Sequence, residues 1–256
     1  MPIRSFLCTA LLLAVSTLAT PAIAAEIPPD ACPKQPTRIV VLGDSLADGL
    51  WGSLFRSYAR CDAVETLRLT VVSDGLAKTS NADWLAKYNR AATKLKTRES
   101  DIVIVQIGAN DITTIRDGRS RESYGTEAWQ KQYSNRVSKL TNGLRSNAAK
   151  VYWFGLPIVG KSNLEGPYQN ISALQKAAVG RAGGVFIDIH KLTQFGTGGF
   201  SQNGTYRGKR QALRAGDKVH FTKSGYDFVA QAVMDRLAKF TLERDRRAAL
   251  QDVQLQ

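Results

Sequence analysis

Short apolar runs alternate with stretches whose apolar residues recur every three or four positions, and that alternation is the main structural signal in the chain. Residues 38–42 form a β-branched run ending at Gly43, a buried strand by length and composition. Leu50, Leu54 and Tyr58 follow at four-residue spacing, which sets them on one helical face. Residues 67–72 read as a second strand, followed by a helix showing Leu85, Tyr88, Ala92 and Leu95. The clearest strand is 101–107, closed by Gly108. The stripe Trp129, Tyr133, Val137, Leu140 and Leu144 then marks a longer helix. Strand 151–154, helix 169–182 and strand 185–189 continue the alternation. Residues 196–216 lack apolar periodicity, are glycine-rich and basic, and predict a loop or lid. A last helix carries Tyr226, Val229, Val233, Leu237 and Phe240, and its charged end at Arg244, Arg246 and Arg247 is expected to fray.

Five strands alternating with helices predict an α/β fold, a doubly wound parallel five-stranded sheet flanked by helices. In such sheets ligands sit beyond the carboxyl ends of the strands. Ser45 and Asn110 both fall just past predicted strand ends, so the pattern sets them on one rim.

The N-terminus stands outside this pattern. Arg4, a mostly apolar stretch over 6–18 and the small residues of Ala22-Ile23-Ala24 read together as a secretory signal peptide covering 1–24. The stretch is too short for a permanent anchor, and no later segment is apolar enough to span a bilayer. Residues 25–36 are a proline-rich, extended lead-in, 37–242 a single domain and 243–256 a charged tail. A periplasmic or secreted protein is expected. Cys8 lies in the leader, which leaves Cys32 and Cys61 as an even pair in an oxidising compartment and predicts a disulfide between them.

The whole chain carries a formal charge of +13. Export and the lack of any recognition motif argue against nucleic acid as the reason. An anionic envelope polysaccharide or lipid is the better partner class, beside the plainer reading of a solvated basic surface. Arg207, Lys209, Arg210, Arg214 and Lys218 crowd the loop leading into residues 217–220, and over the rim such a loop would favour an anionic substrate.

Gly43-Asp44-Ser45-Leu46 offers a serine at the tip of the first strand, and Asp217-Lys218-Val219-His220 offers an imidazole with a carboxylate three residues upstream. A serine hydroxyl needs an adjacent base, and the base needs a third group to orient it. The chain holds only His190 and His220. In a turn, Asp217 can fold back onto one nitrogen of His220 and leave the other for Ser45, with Thr222 capping the helix that follows. Asp188 and His190 sit on or beside a strand, where residues two apart point the same way without converging, so His190 is read as structural.

A developing oxyanion also needs donors. The Asn110 side chain, the Gly75 N–H and the Ser45 N–H are the candidates, although an asparagine or glycine after a strand is ordinarily a turn residue. Two histidines and two distant cysteines make no zinc cluster, and no G-x-S-x-G, Walker or dinucleotide pattern is present, so no metal or cofactor is expected.

Taken in chain order, Ser45, Gly75, Asn110 and Asp217-x-x-His220 resemble the SGNH hydrolases, the GDSL esterase/lipase family. The resemblance spans nearly all of the chain beyond the leader. The segments 43–56, 153–161 and 186–190 are similar to a bacterial branch with largely unassigned substrates. It implies a flavodoxin-like fold, with Ser45 as nucleophile, His220 as base and Asp217 as its partner. It also implies an oxyanion hole made of the Ser45 and Gly75 N–H groups and the Asn110 amide. The function expected is an exported serine esterase that cleaves O-acyl groups from an envelope glycan or lipid. Transfer of the acyl group to a glycan by the same triad is an alternative, and a non-catalytic glycan-binding relative is another.

Overall fold

The computed structural model describes residues 27, 31–94 and 101–254; the leader, part of the lead-in and Leu95 lie outside the described residues. Five parallel strands form the central sheet in the order β2-β1-β3-β6-β7. They are β1 (Thr37–Gly43), β2 (Val64–Thr70), β3 (Asp101–Gln106), β6 (Lys150–Phe154) and β7 (Val185–Ile187). Every residue of β1 and β3 is buried. Central parallel strands are covered on both faces, which is why their sequences are continuous apolar runs.

Five helices complete the fold: α1 (Ser45–Ser57), α2 (Asn81–Lys94), α3 (Glu127–Arg145), α4 (Ser162–Arg181) and α5 (Lys223–Gln254). The chain leaves β1 toward β2, then returns past β1 to β3 and continues outward through β6 to β7. Right-handed crossovers therefore put α1 on one face of the sheet and α2, α3 and α4 on the other. The packing agrees, since α1 lies against α5 while α3 lies between α2 and α4. The direction reverses between β1 and β3, and the crevice above that reversal is where doubly wound sheets hold ligands.

The elements differ from the sequence pattern in several places; β2 starts three residues earlier than expected, at Val64, and ends at Thr70. Helix α4 begins at Ser162 rather than 169 and runs through Pro167, whose missing N–H removes one ladder bond without ending the helix. Residues 115–122 contain a hairpin, β4 (Ile115–Asp117) and β5 (Ser120–Glu122), that no apolar alternation signalled. The predicted loop over 196–216 contains another, β8 (Asn203–Tyr206) and β9 (Lys209–Ala212). Its two-residue turn has φ +54° at Arg207 and +71° at Gly208, the positive pair that fits the twist of a tight hairpin. Finally, α5 does not fray at its charged residues but continues to Gln254. Arg244 there donates to Gln35 O and Thr37 Oγ1, and Asp245 accepts from Lys34 N.

Cys32 and Cys61 form a disulfide across 29 residues. Closing a loop of that size stabilises the fold by on the order of 3–4 kcal/mol in the chain-entropy picture. It ties the lead-in to the segment between α1 and β2. Among the described residues, no helix is long and apolar enough to cross a membrane.

Candidate active site

Ser45 is the first residue of α1, set at the carboxyl end of β1 by a turn that only glycine permits. At Gly43, φ is +147°, and a Cβ there would stand 1.8 Å from Gln106 O on the neighbouring β3. Asp44 caps α1, its Oδ1 accepting from Leu46 N at 3.0 Å. Such a cap is worth about 1 kcal/mol. It also leaves the Ser45 N–H among the unpaired donors of the first helical turn.

His220 reaches the serine from the far end of the chain. Ser45 Oγ lies 2.8 Å from His220 Nε2, and His220 Nδ1 lies 2.5 Å from Asp217 Oδ2. With the ring proton on Nδ1 and donated to Asp217, Nε2 is the acceptor for the serine hydroxyl. The second carboxylate oxygen of Asp217 accepts from Val219 N and His220 N, both at 2.9 Å. Partial burial alone would raise the Asp217 pKa. Hydrogen bonds from the imidazole and these two N–H groups outweigh it and hold the carboxyl at about 2. Thr222 Oγ1 accepts from Gly225 N and starts α5, while the Tyr226 ring fills the space a side chain at Gly49 would need. This contact brings the first turn of α5 onto the first turns of α1.

The other two predicted site residues sit on the turns after β2 and β3. Asn110 Nδ2 donates to Asp74 O at 3.0 Å, so the asparagine is held against the residue before Gly75. The Gly75 N–H is already engaged, donating to Asp74 Oδ1 at 2.7 Å. Glycine is needed at this position for a close approach rather than a positive φ, since a Cβ would stand 2.0 Å from Asp111 Oδ1.

Two buried carboxylates stitch these three turns together, and sequence reasoning gave neither a role. Asp44 Oδ2 accepts from Gly108 N and Ala109 N, both at 3.0 Å, which joins the serine turn to the asparagine turn. Asp111 accepts from Ala77 N and Tyr133 OH, both at 2.8 Å, which joins the asparagine turn to the glycine turn. Burial pushes the Asp44 carboxyl up to about 7 and Asp111 to about 6, against the pull of their N–H donors; the charge of Asp111 raises Asp44 further. The one available signal was an acid beside a motif residue at the end of a buried strand.

His190 does not approach Ser45. Its Nε2 pairs with Glu165 Oε1 at 2.5 Å, while Asp188 accepts only its backbone N–H. Glu165, 25 residues away, was not visible as its partner. Arg214, grouped with the basic residues of a surface loop, is in fact 1% exposed; Lys209 and Arg210 are exposed on the β8–β9 hairpin.

With this geometry in place, comparison with known proteins adds a family. The family DUF459, described as a protein of unknown function, matches residues 38–236. The chain belongs to it. No curated protein matches this DUF459 member.

Solved structures share its fold at low identity. A lipase/acylhydrolase from Enterococcus faecalis superposes with a TM-score of 0.55 at 17% identity, over 79% of this chain and 96% of that one. A GDSL-like lipase from Bacteroides thetaiotaomicron gives 0.53 at 12%, over 80% and 88%. A catalytic mutant of an acetylxylan esterase from Geobacillus stearothermophilus gives 0.54 at 13%, over 78% and 94%. The DUF459 chain thus has the α/β fold of the GDSL/SGNH hydrolases.

Proposed function

We propose that this DUF459 protein is an exported serine esterase that removes O-linked acyl groups through an acyl-serine intermediate. The unbroken run Ser45 Oγ–His220 Nε2 and His220 Nδ1–Asp217 Oδ2, at 2.8 and 2.5 Å, is the observation that carries the reading. Ser45 Oγ attacks the ester carbonyl while its proton passes to His220 Nε2, and Asp217 stabilises the imidazolium that forms. The oxyanion of the tetrahedral intermediate takes hydrogen bonds from the Ser45 N–H and the Asn110 amide. The Gly75 N–H joins them once the Asp74 carboxylate releases it. His220 then protonates the departing alcohol, and water, activated by the same imidazole, frees the acid and restores Ser45.

Charge and exposure support a substrate class. Lys209 and Arg210 are exposed on a hairpin that leads directly into the His220 turn, which favours an anionic envelope glycan or lipid as the alcohol part. The acetylxylan esterase among proteins of the same fold is consistent with a short acyl group on a sugar. Incubation with a fluorophosphonate followed by peptide mass spectrometry tests the reading. Covalent mass on Ser45, absent in Ser45→Ala and His220→Ala, is the expected result. A folded wild-type protein that takes no label would sink it.

A further inference from the structure

Arg214 is a buried cation that, among the described residues, is met by backbone carbonyls rather than by a paired carboxylate, with Asp217 and Glu165 acting on it through space. Among the described residues its guanidinium makes no ion pair, and all its hydrogen bonds go to backbone carbonyls. Nη1 donates to Ile158 O at 2.6 Å and Nη2 to Val219 O at 2.6 Å. Nε reaches His220 O at 3.3 Å, and Nη2 reaches Lys218 O at a long 3.5 Å. The plane lies over the ring of Phe221 at 4.2 Å and of Phe200 at 5.3 Å. Burial lowers its pKa to about 10, which leaves it charged at neutral pH.

The three carbonyls it gathers belong to consecutive residues of the turn that carries the histidine. At the head of that turn Lys218 has φ +62°, a left-handed conformation that strains a residue with a side chain. Converging carbonyl dipoles repel one another unless a cation sits at their focus. A planar fork with divergent donors bridges this turn to Ile158 in a way an ammonium does not. Neighbouring backbone reinforces the clamp: Gly160 N donates to Lys218 O at 3.0 Å and Ala215 N to His220 O at 2.8 Å.

We propose that Arg214 is a positioning residue for the base, clamping the Lys218–Val219–His220 carbonyls so that His220 stays between Asp217 and Ser45. It touches neither the serine nor the ester. The proposal rests on the esterase reading only for its kinetic arm.

Arg214→Lys keeps the charge and loses the fork, and Arg214→Met keeps the bulk and loses both. Each is checked for folding by near-UV circular dichroism. The first readout is the low-field proton NMR resonance of the His220 Nδ1–H bonded to Asp217, which reports the turn whether or not the protein turns over any ester. The second is kcat and KM for p-nitrophenyl acetate, normalised to Ser45 sites titrated by fluorophosphonate.

The expected result is a folded Arg214→Lys variant whose low-field resonance is lost, with kcat down roughly 10²-fold and KM within about twofold, as for a reacting group misplaced by about 1 Å. A resonance and a kcat both unchanged in the folded Lys variant would overturn the proposal. So would loss of the near-UV signature in the Lys as well as the Met variant, which would make Arg214 a general support of the fold. If the wild type takes no fluorophosphonate, the esterase reading fails by itself, and the resonance in the Lys variant still decides the clamp.

Discussion

Replacing Gly75 with alanine tests how tightly the three turns of the site are locked. The new Cβ would stand 2.0 Å from Asp111 Oδ1 and 2.9 Å from its Cγ, where ordinary contact begins near 3.4 Å. Either the carboxylate or the turn must retreat by about 1.4 Å, the difference between those two distances. The carboxylate is fully buried and accepts from Ala77 N and Tyr133 OH. Moving it leaves a buried N–H unpaired, at about 1–3 kcal/mol. Moving the turn instead carries away Asp74 O, the acceptor that holds the Asn110 amide. A shift of this size at a donor costs on the order of 10² in rate.

Gly75→Ala is therefore expected to lower stability to urea by about 1–3 kcal/mol, the usual range for overpacking, and to cut kcat about 100-fold with little change in KM. The cause is separable. Asp111→Ala removes the atom that the new methyl strikes, so the double variant should lose less stability than the two single changes added together. Strictly additive losses, or a Gly75→Ala variant with wild-type kcat and urea midpoint, would refute the steric argument.

Three further outcomes follow from the same geometry. His220→Ala should abolish hydrolysis of a short p-nitrophenyl ester while His190→Ala retains it; inactivity of a folded His190 variant would reverse the assignment of the base. Asn110→Ala should lower kcat by about 10²–10³ if its amide meets the oxyanion, and a loss confined to KM would remove it from that role. For stability against pH, Asp44 and Asp111 are both raised above the ordinary carboxyl value of 3.8, so the folded state keeps protons that the unfolded chain has released. That contribution is full below 3.8 and is lost as pH climbs through 6 and 7, while Asp217, held at about 2, acts in the opposite sense only below 3.8. Urea unfolding should give a free energy about 2–4 kcal/mol larger at pH 5 than at pH 8, and a flat profile would contradict the buried acids' role.

The sequence exposed those parts of the fold whose burial is uniform. Strands β1 and β3 are covered on both faces and appear as unbroken apolar runs. The edge strand β2 has no fully buried residue and mixes exposed with half-buried positions, so its first residues from Val64 escaped notice. The two hairpins are short and polar and leave no period to detect. Pro167 hid the start of α4 because its local preference opposes the helix that tertiary packing imposes. At the site, the proximity of Asp217 to His220 was readable because three residues of one turn can converge without help from elsewhere. The partners of Asp44 lie 64 and 65 residues away, and no local pattern encodes them.

That contrast explains how two residues 175 positions apart come to share a hydrogen bond. Ser45 is fixed by the strand reversal between β1 and β3, because both the glycine turn and the Asp44 bonds to Gly108 and Ala109 act across that reversal. His220 is fixed by a different set of contacts: Tyr226 over Gly49, and Gly160 N on Lys218 O. The serine turn is thus held mainly by the buried acids and the histidine turn by packing and carbonyl contacts, with Tyr226 OH reaching Ser45 O at 3.5 Å between them. A change that loosens one side need not loosen the other. Variants at Asp44 or Gly75 should therefore disturb the donors around the oxyanion, whereas variants near Tyr226 or Gly160 should disturb proton transfer to His220. Sorting folded variants by whether the low-field resonance of the His220 Nδ1–H bonded to Asp217 survives separates the two groups, and the same loss in both would mean the site is one cooperative unit.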